Sequence, residues 1–134
     1  MNQNVQQISA DGKILAILIR SKFNTSGLSF VTPDGFPFQL GLHISKKGTN
    51  IKAHRHLPFK ELRDLYPQEF FYVEKGKIEV GLYKDIHKYS EVILNKGDML
   101  VVNCPHEVKF LEDSKLIELK QGPYRGKDAE KEYI

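Results

Sequence analysis

A series of short, strand-like runs separated by turn residues constrains the fold of this chain more than any other feature. Apolar and polar residues alternate from Phe38 to Ile44, as in a strand with one buried face. The preceding Pro33-Asp34-Gly35 is typical of a turn, because proline fixes φ and glycine accepts positive φ. Short strands at such close spacing favour an antiparallel sandwich or barrel. We predict strands at residues 13–20, 27–31, 36–44, 50–55, 69–74, 77–84, 91–94, 99–102, 107–111 and 115–120.

One domain spanning residues 1–134 is the expected organisation. With 134 residues and a hydrophobic content of 40%, the chain can bury one core but not two. The polar start, residues 1–12, is predicted to be a mobile N-terminal arm. No repeat, low-complexity tract or linker divides the rest of the sequence.

Two histidines one residue apart, His54 and His56, suggest a metal site. In an extended chain alternate side chains share a face, so both imidazoles would point the same way and could share one ion. Glu69 comes later, on the same face of a predicted strand as Phe71 and Val73. A carboxylate on such a core-facing stripe is costly unless it is paired or binds a cation.

A third histidine, His106, follows a proline near the start of another predicted strand. Three imidazoles and one carboxylate form a ligand set for zinc or a first-row transition metal. We therefore predict one divalent ion, Fe, Mn, Ni or Zn. Its ligands would be His54, His56, Glu69 and His106.

These residues resemble the two motifs of the cupin superfamily. The first motif is similar to Gly48, His54, His56, Glu69 and Gly76, and the second resembles Gly97-Asp98 leading to Pro105-His106. The chain departs from the family pattern in two ways: the gap between His56 and Glu69 is longer than usual, and the second motif lacks its Pro-x-Gly and terminal asparagine. The resemblance covers about residues 36 to 121. It implies a single cupin domain folded as an antiparallel β-barrel or double-sheet jelly roll.

A narrower resemblance suggests a biological setting. The run from Glu118 to Tyr124, together with His54-Arg55-His56 and Gln68-Glu69, looks like a group of small bacterial cupins associated with surface-polysaccharide gene clusters. This similarity implies a role in carbohydrate biosynthesis. It names a setting rather than a reaction.

The long gap, residues 57–67, would be an inserted loop near the pocket mouth if the cupin resemblance holds. One interpretation is a surface turn that packs its own apolar stripe. The other is a lid in which Lys60 or Arg63 binds an anionic ligand, since a guanidinium suits carboxylate or phosphate. Gln121 and Tyr124 are further candidate substrate-binding residues at the opening.

Each candidate residue also has a plainer interpretation. Glu69 could be a solvated carboxylate at a strand end, and His106 could belong to an ordinary turn. His43 and His87 are expected to be surface or hydrogen-bonded histidines. The single cysteine, Cys104, could be a ligand or a reactive thiol, but an isolated cysteine beside a proline is more often inert.

Three functions remain open, and no residue is assigned a catalytic role. The metal could act as a Lewis acid on a small sugar-derived or anionic metabolite, in an isomerisation or epimerisation. It could be ferrous iron in a cupin-type oxygenase, in which case oxygen uptake would require that metal. The chain could instead be a non-enzymatic module that binds or senses a small molecule.

Charge and composition limit the partners. A net charge of +3 with scattered basic residues argues against nucleic acid. The sequence has no apolar stretch long enough to span a membrane and no apolar signal region, so the cytoplasm is the expected location. A single cysteine agrees with a reducing compartment. The apolar run 13–20 and the outward-facing Ile51 and Ala53 predict a homodimer.

Overall fold

The computed structural model describes residues 3–57, 66–121, 125–130 and 132–134. Backbone contacts divide the chain into two compact units, one formed by Met1–Phe23 with Pro67–Ile134 and the other by Asn24–Tyr66. Every strand pair in the described residues is antiparallel. Their only helix is the four-residue α1 (Lys127–Glu130). The predicted all-β class is confirmed.

The first unit contains two sheets. Their strands are β1 (Val5–Ala10), β2 (Lys13–Ile19), β5 (Glu69–Lys75), β6 (Lys77–Lys84), β7 (His87–Asn95), β8 (Met99–Val102), β9 (His106–Phe110) and β10 (Lys115–Lys120). The larger sheet has the strand order β1-β2-β8-β5-β10 and the smaller sheet has the order β7-β6-β9.

A hydrophobic core holds the two sheets of this unit face to face. Leu18 and Phe71 contribute from the larger sheet, and Val80 and Leu94 contribute from the smaller one. Alternate residues of β5 and β6 point into this layer, as the period of a strand requires. The unit is therefore a β-sandwich. In the described residues neither sheet closes into a barrel, because each ends in an unpaired edge strand.

β2 lies inside the larger sheet, hydrogen-bonded to β1 on one side and β8 on the other. Its residues Ala16 to Ile19 are buried on both faces, which explains the continuous apolar run. Residues 5–10 of the predicted mobile arm form β1, and Ala10 is buried. Sequence reasoning missed β1 because VQQISA is mostly polar and lies on the edge of the sheet.

Buried Asp98 organises the turn before β8. Its carboxylate accepts hydrogen bonds from Arg20 Nη1 at 2.8 Å, the Ser21 amide at 3.0 Å and the Asn95 amide at 2.8 Å. The turn is thereby tied to the end of β2. The Gly97-Asp98 pair of the second motif thus has a structural role.

The second unit contains a two-stranded hairpin, β3 (Gly27–Phe30) and β4 (Gly41–Ile44). The predicted turn is present in the connection between these two strands, because the Phe36 amide donates to the Pro33 carbonyl at 3.0 Å. The strand predicted at 50–55 is wrong: these residues pair with no strand in the described part of the chain and are exposed.

The other predictions on organisation have different outcomes. Most of the predicted insert, residues 58–65, lies outside the described residues. The single domain over 1–134 stays a prediction. No helix among the described residues is long and apolar enough to cross a membrane.

Candidate functional site

The first unit contains a pocket of about 530 Å³ between its two edge strands, β9 and β10. The strands β5, β6, β9 and β10 supply most of its wall, and the rest comes from Pro67, Cys104, Pro105 and residues 132–134. Its lining residues are Pro67, Glu69, Phe71, Tyr83, Cys104, Pro105, His106, Glu107, Val108, Glu118, Lys120, Glu132, Tyr133 and Ile134. This volume suits a small molecule.

Glu69 and His106 meet in this pocket from opposite sheets. Glu69 begins β5 and shares its face with Phe71, whereas His106 begins β9 opposite Leu82 of β6. Both side chains therefore point toward the layer between the sheets. Glu69 Oε2 lies 3.1 Å from His106 Nε2, and both side chains are only about one-fifth exposed. Two of the four predicted metal ligands are thus brought together.

Both ring nitrogens of His106 face oxygen acceptors. Nδ1 lies 2.8 Å from the Cys104 carbonyl and Nε2 lies 3.1 Å from the Glu69 carboxylate. Burial opposes the charged imidazole, but the hydrogen bonds to Glu69 and Cys104 outweigh it and raise the pKa of His106. The same hydrogen bond lowers the pKa of Glu69 against the effect of burial. The pair favours a carboxylate beside an imidazolium.

Glu118 and Lys120 extend the polar wall from β10. In the β5–β10 register, Lys120 lies opposite Glu69 and Glu118 lies opposite Phe71, so all four share one face. Partial burial and the negative charge of Glu69 raise the pKa of Glu118. Two carboxylates therefore compete for the same nearby positive charges.

A hydrogen-bonded network holds the start of β5 next to this pair. The buried Gln68 side chain donates from Nε2 to Asn103 Oδ1 at 3.0 Å. The backbone amide of Gln68 donates to Gln121 Oε1 at 2.7 Å. Gln121 was predicted to bind substrate, but it is absent from the described pocket wall and ties β5 to the end of β10. The hydrogen bond between Gln121 and Gln68 therefore has a structural role.

The other two predicted ligands, His54 and His56, belong to the second unit. Their rings lie side by side, with centroids 5.1 Å apart and planes at 71°. His54 Nδ1 lies 2.8 Å from the Lys52 carbonyl, which leaves Nε2 available as a ligand when Nδ1 carries the proton. The two imidazoles are thus adjacent, as predicted, although the segment is an exposed loop rather than a strand.

The donor atoms of the first unit fit part of a metal site. Two ligands at right angles, each about 2.1 Å from an ion, lie about 3.0 Å apart, close to the separation of Glu69 Oε2 and His106 Nε2. His106, like His54, has Nδ1 next to a backbone carbonyl, which directs Nε2 to a ligand role. Within the described parts of the chain, no three His, Cys, Asp or Glu side chains form a cluster that could hold a metal.

The remaining predicted residues have varied positions. Lys60, Arg63 and Tyr124 lie outside the described residues. His43 and His87 are exposed, as expected. Cys104 lines the pocket, and burial raises the pKa of its thiol, which disfavours the reactive thiolate.

Sequence reasoning missed Glu118 as a neighbour of Glu69. Leu116, Glu118 and Lys120 alternate along β10, so the pattern could have placed both charged residues on the core-facing side. Glu132 and Tyr133 were also missed as pocket residues. They lie outside the strands, so no alternation in the sequence predicts which way their side chains point.

The chain matches no protein-family model, no curated protein and no solved structure. The cupin resemblance therefore continues to depend on the motif residues alone.

Proposed function

We propose that this chain binds a divalent metal ion and a small oxygenated metabolite in the pocket between β9 and β10. The proposed ligands are the four residues that the sequence predicts, His54, His56, Glu69 and His106. When bound, the metal supplies Lewis-acid polarisation of a carbonyl or hydroxyl oxygen. The proposal extends to an isomerase or epimerase acting on a sugar-derived substrate.

The observation that carries this proposal is the convergence of Glu69 and His106, at 3.1 Å, on the wall of a pocket of about 530 Å³. Burying a carboxylate and an imidazole costs free energy, and their position in a pocket makes the pair available to a ligand. Phe71 packs edge-on against the His106 ring at a centroid distance of 5.7 Å, which fixes the imidazole in orientation.

The proposal includes a finer assignment of the fold, a cupin-type jelly roll. A β-sandwich in which one motif glutamate and one motif histidine face each other across the core is compatible with a cupin-type jelly roll. The setting in carbohydrate biosynthesis follows only from the resemblance. It supports a sugar-derived ligand by association.

Metal retention tests the proposal directly. Untagged protein reconstituted with Fe, Mn, Ni or Zn and passed through a desalting column should retain about one ion per chain. Glu69→Gln and His106→Gln should each weaken retention at least about tenfold, because each removes a ligand. His87→Gln is the matched control, since His87 is an exposed histidine on β7. Wild-type protein that retains no ion would refute the proposal.

A second function is favoured by the contacts of His106 with two oxygens. A carboxylate and an imidazolium in one hydrogen-bonded pair can accept and donate a proton without a metal. Glu69 would act as the base and His106 as the acid toward a ligand in the pocket. An isomerisation of a hydroxy-carbonyl compound needs this kind of proton transfer.

Nitrogen-15 spectra of the imidazole rings separate the two functions. In chelator-treated protein, the metal-free pair predicts that both His106 nitrogens carry protons above the usual histidine pKa of about 6.5. Added divalent metal should leave this signal unchanged if the pair works alone. If metal displaces the Nε2 proton, the metal-binding function is supported instead.

A further inference from the structure

The described pocket wall carries more negative than positive groups. Its carboxylates are Glu69, Glu107, Glu118 and Glu132, whereas its basic groups are Lys120 and His106. The chain as a whole has a net charge of +3, so the pocket differs in sign from the rest of the molecule. A cleft lined by one sign of charge concentrates ligands of the opposite sign.

A divalent ion would not reverse this sign. The four carboxylates carry four negative charges, whereas the ion and Lys120 together would supply three positive charges. The four carboxylates would then face the ion and the Lys120 ammonium, and the described wall would still be negative. In the metal-free protein the described wall therefore disfavours an anionic ligand, and a bound ion would reduce this excess of negative charge without reversing it.

Two charged residues of β10, Glu118 and Lys120, lie at different places along the pocket wall. Lys120, the last residue of β10, lies across from Glu69 in the strand register. Glu118 lies across from Phe71, farther from the end of β10. A ligand group beside Glu118 would therefore have that carboxylate and the neighbouring Glu69 as its charged neighbours. A protonated amine suits this place, because ammonium is attracted to carboxylates.

We infer that the ligand of this pocket carries a protonated amine next to its hydroxyl groups, as an amino sugar does, and that Glu118 binds the amine. This inference rests on the proposed function for the oxygenated part of the ligand. It replaces the anionic ligand that the sequence left open. The cavity itself, about 530 Å³, is large enough for one monosaccharide.

Three hexoses of similar size test the inference by charge alone. Glucosamine is cationic, glucose is neutral and glucuronate is anionic at neutral pH. Their binding to the full chain would be followed by protein-detected NMR titration at one ionic strength, both with metal and after chelation. Glucosamine should bind roughly tenfold more tightly than glucuronate, because the acidic wall attracts the ammonium group of one and repels the carboxylate of the other.

Two glutamine variants identify the residue responsible. Glu118→Gln should bring the affinities for glucosamine and glucuronate within roughly threefold of each other. Glu74→Gln is the matched control: Glu74 lies at the other end of β5, pairs with Lys115 and does not line the pocket. It should leave the tenfold preference unchanged.

Glucuronate binding as tightly as glucosamine would overturn the inference, as would the absence of binding by all three hexoses. A preference for glucosamine that survives Glu118→Gln would overturn the role of Glu118. Metal retention is measured separately, so a protein that holds one ion but prefers glucuronate would refute only the ligand class. A protein that prefers glucosamine but holds no ion would refute only the metal.

Discussion

The Glu69–His106 pair links site chemistry to stability. The lowered pKa of Glu69 stabilises the fold above its ordinary value of 4.5, and this contribution is lost as pH falls through the folded-state value. The raised pKa of His106 gives a contribution that is complete below 6.5 and is lost as pH rises through the folded-state value. The pair therefore stabilises metal-free protein most between these two limits.

His106→Gln tests this dependence. We expect the free energy of unfolding of metal-free wild-type protein to fall as the pH rises above about 6.5 and the imidazolium is lost. In His106→Gln that decline should be reduced, and at pH 6 the variant should be about 1–3 kcal/mol less stable, because Glu69 loses its partner. Urea unfolding at several pH values measures both effects. Parallel curves for the two proteins would contradict the pairing.

Asp98 gives a prediction that concerns stability rather than function. Asp98→Asn should destabilise the first unit by about 2–3 kcal/mol, because one amide oxygen cannot replace a carboxylate that accepts from Arg20, Ser21 and Asn95. Thermal unfolding measures the loss. Metal retention should be unchanged, since Asp98 does not line the pocket. A variant as stable as wild type would show that the turn does not depend on this carboxylate.

At the scale of elements, the hairpin between β5 and β6 explains the second glycine of the first motif. Gly76 has a φ of +88°, and a Cβ there would lie 2.8 Å from Ser114 Cα. The position therefore requires glycine for two independent reasons, conformation and close approach. Gly12, in the β1–β2 turn, has a similar φ of +77°, but none of the described residues lies within 4 Å of its Cβ position.

Gly76→Ala should consequently be more destabilising than Gly12→Ala. Both variants incur the strain of positive φ, about 1–2 kcal/mol for alanine. Only Gly76→Ala must also displace the segment that contains Ser114. Denaturant unfolding of the two variants compares them. Equal losses would mean that the Ser114 contact adds nothing.

The strands that sequence predicted well are those with strong patterns and local partners. Three strands, Lys77–Lys84, Met99–Val102 and Lys115–Lys120, have the predicted bounds, because β-branched and apolar residues alternate or run continuously in them. The strand at 50–55 failed because extended character alone does not supply a neighbouring strand. β1 was missed because pairing with β2, rather than its own composition, holds it in the sheet.

For the site, sequence could predict residue types but not their neighbours. The core-facing stripe of a predicted strand indicated Glu69, and the Pro105-His106 pair at a strand start indicated His106. The structure places Glu69 Oε2 3.1 Å from His106 Nε2. The hydrogen bond between them, the competing Glu118 and the structural contact of Gln121 depend on strand register. Register arises from long-range pairing, which spacing along the chain does not determine.

At the scale of the whole molecule, the structure removes one of the two reasons for expecting a homodimer, the apolarity of β2. The apolarity of β2 was expected to need a cover from a second copy, but β2 is an inner strand between β1 and β8. The edge strand β10 exposes Ile117 at 43% and Leu119 at 60%. A second copy of the chain that packs on β10 would cover these exposed apolar side chains, so we still predict a homodimer. Light scattering at high micromolar concentration should give twice the mass of one chain, and a monomer would contradict it.

Metal content of a double histidine variant tests the central proposal most directly. His54→Ala combined with His56→Ala should abolish retention of the divalent ion while leaving circular dichroism nearly unchanged, because the core of the first unit contains neither residue. His43→Ala is the control and should retain about one ion per chain. If the double variant retains as much metal as wild type, His54 and His56 are not ligands and the proposed site is wrong.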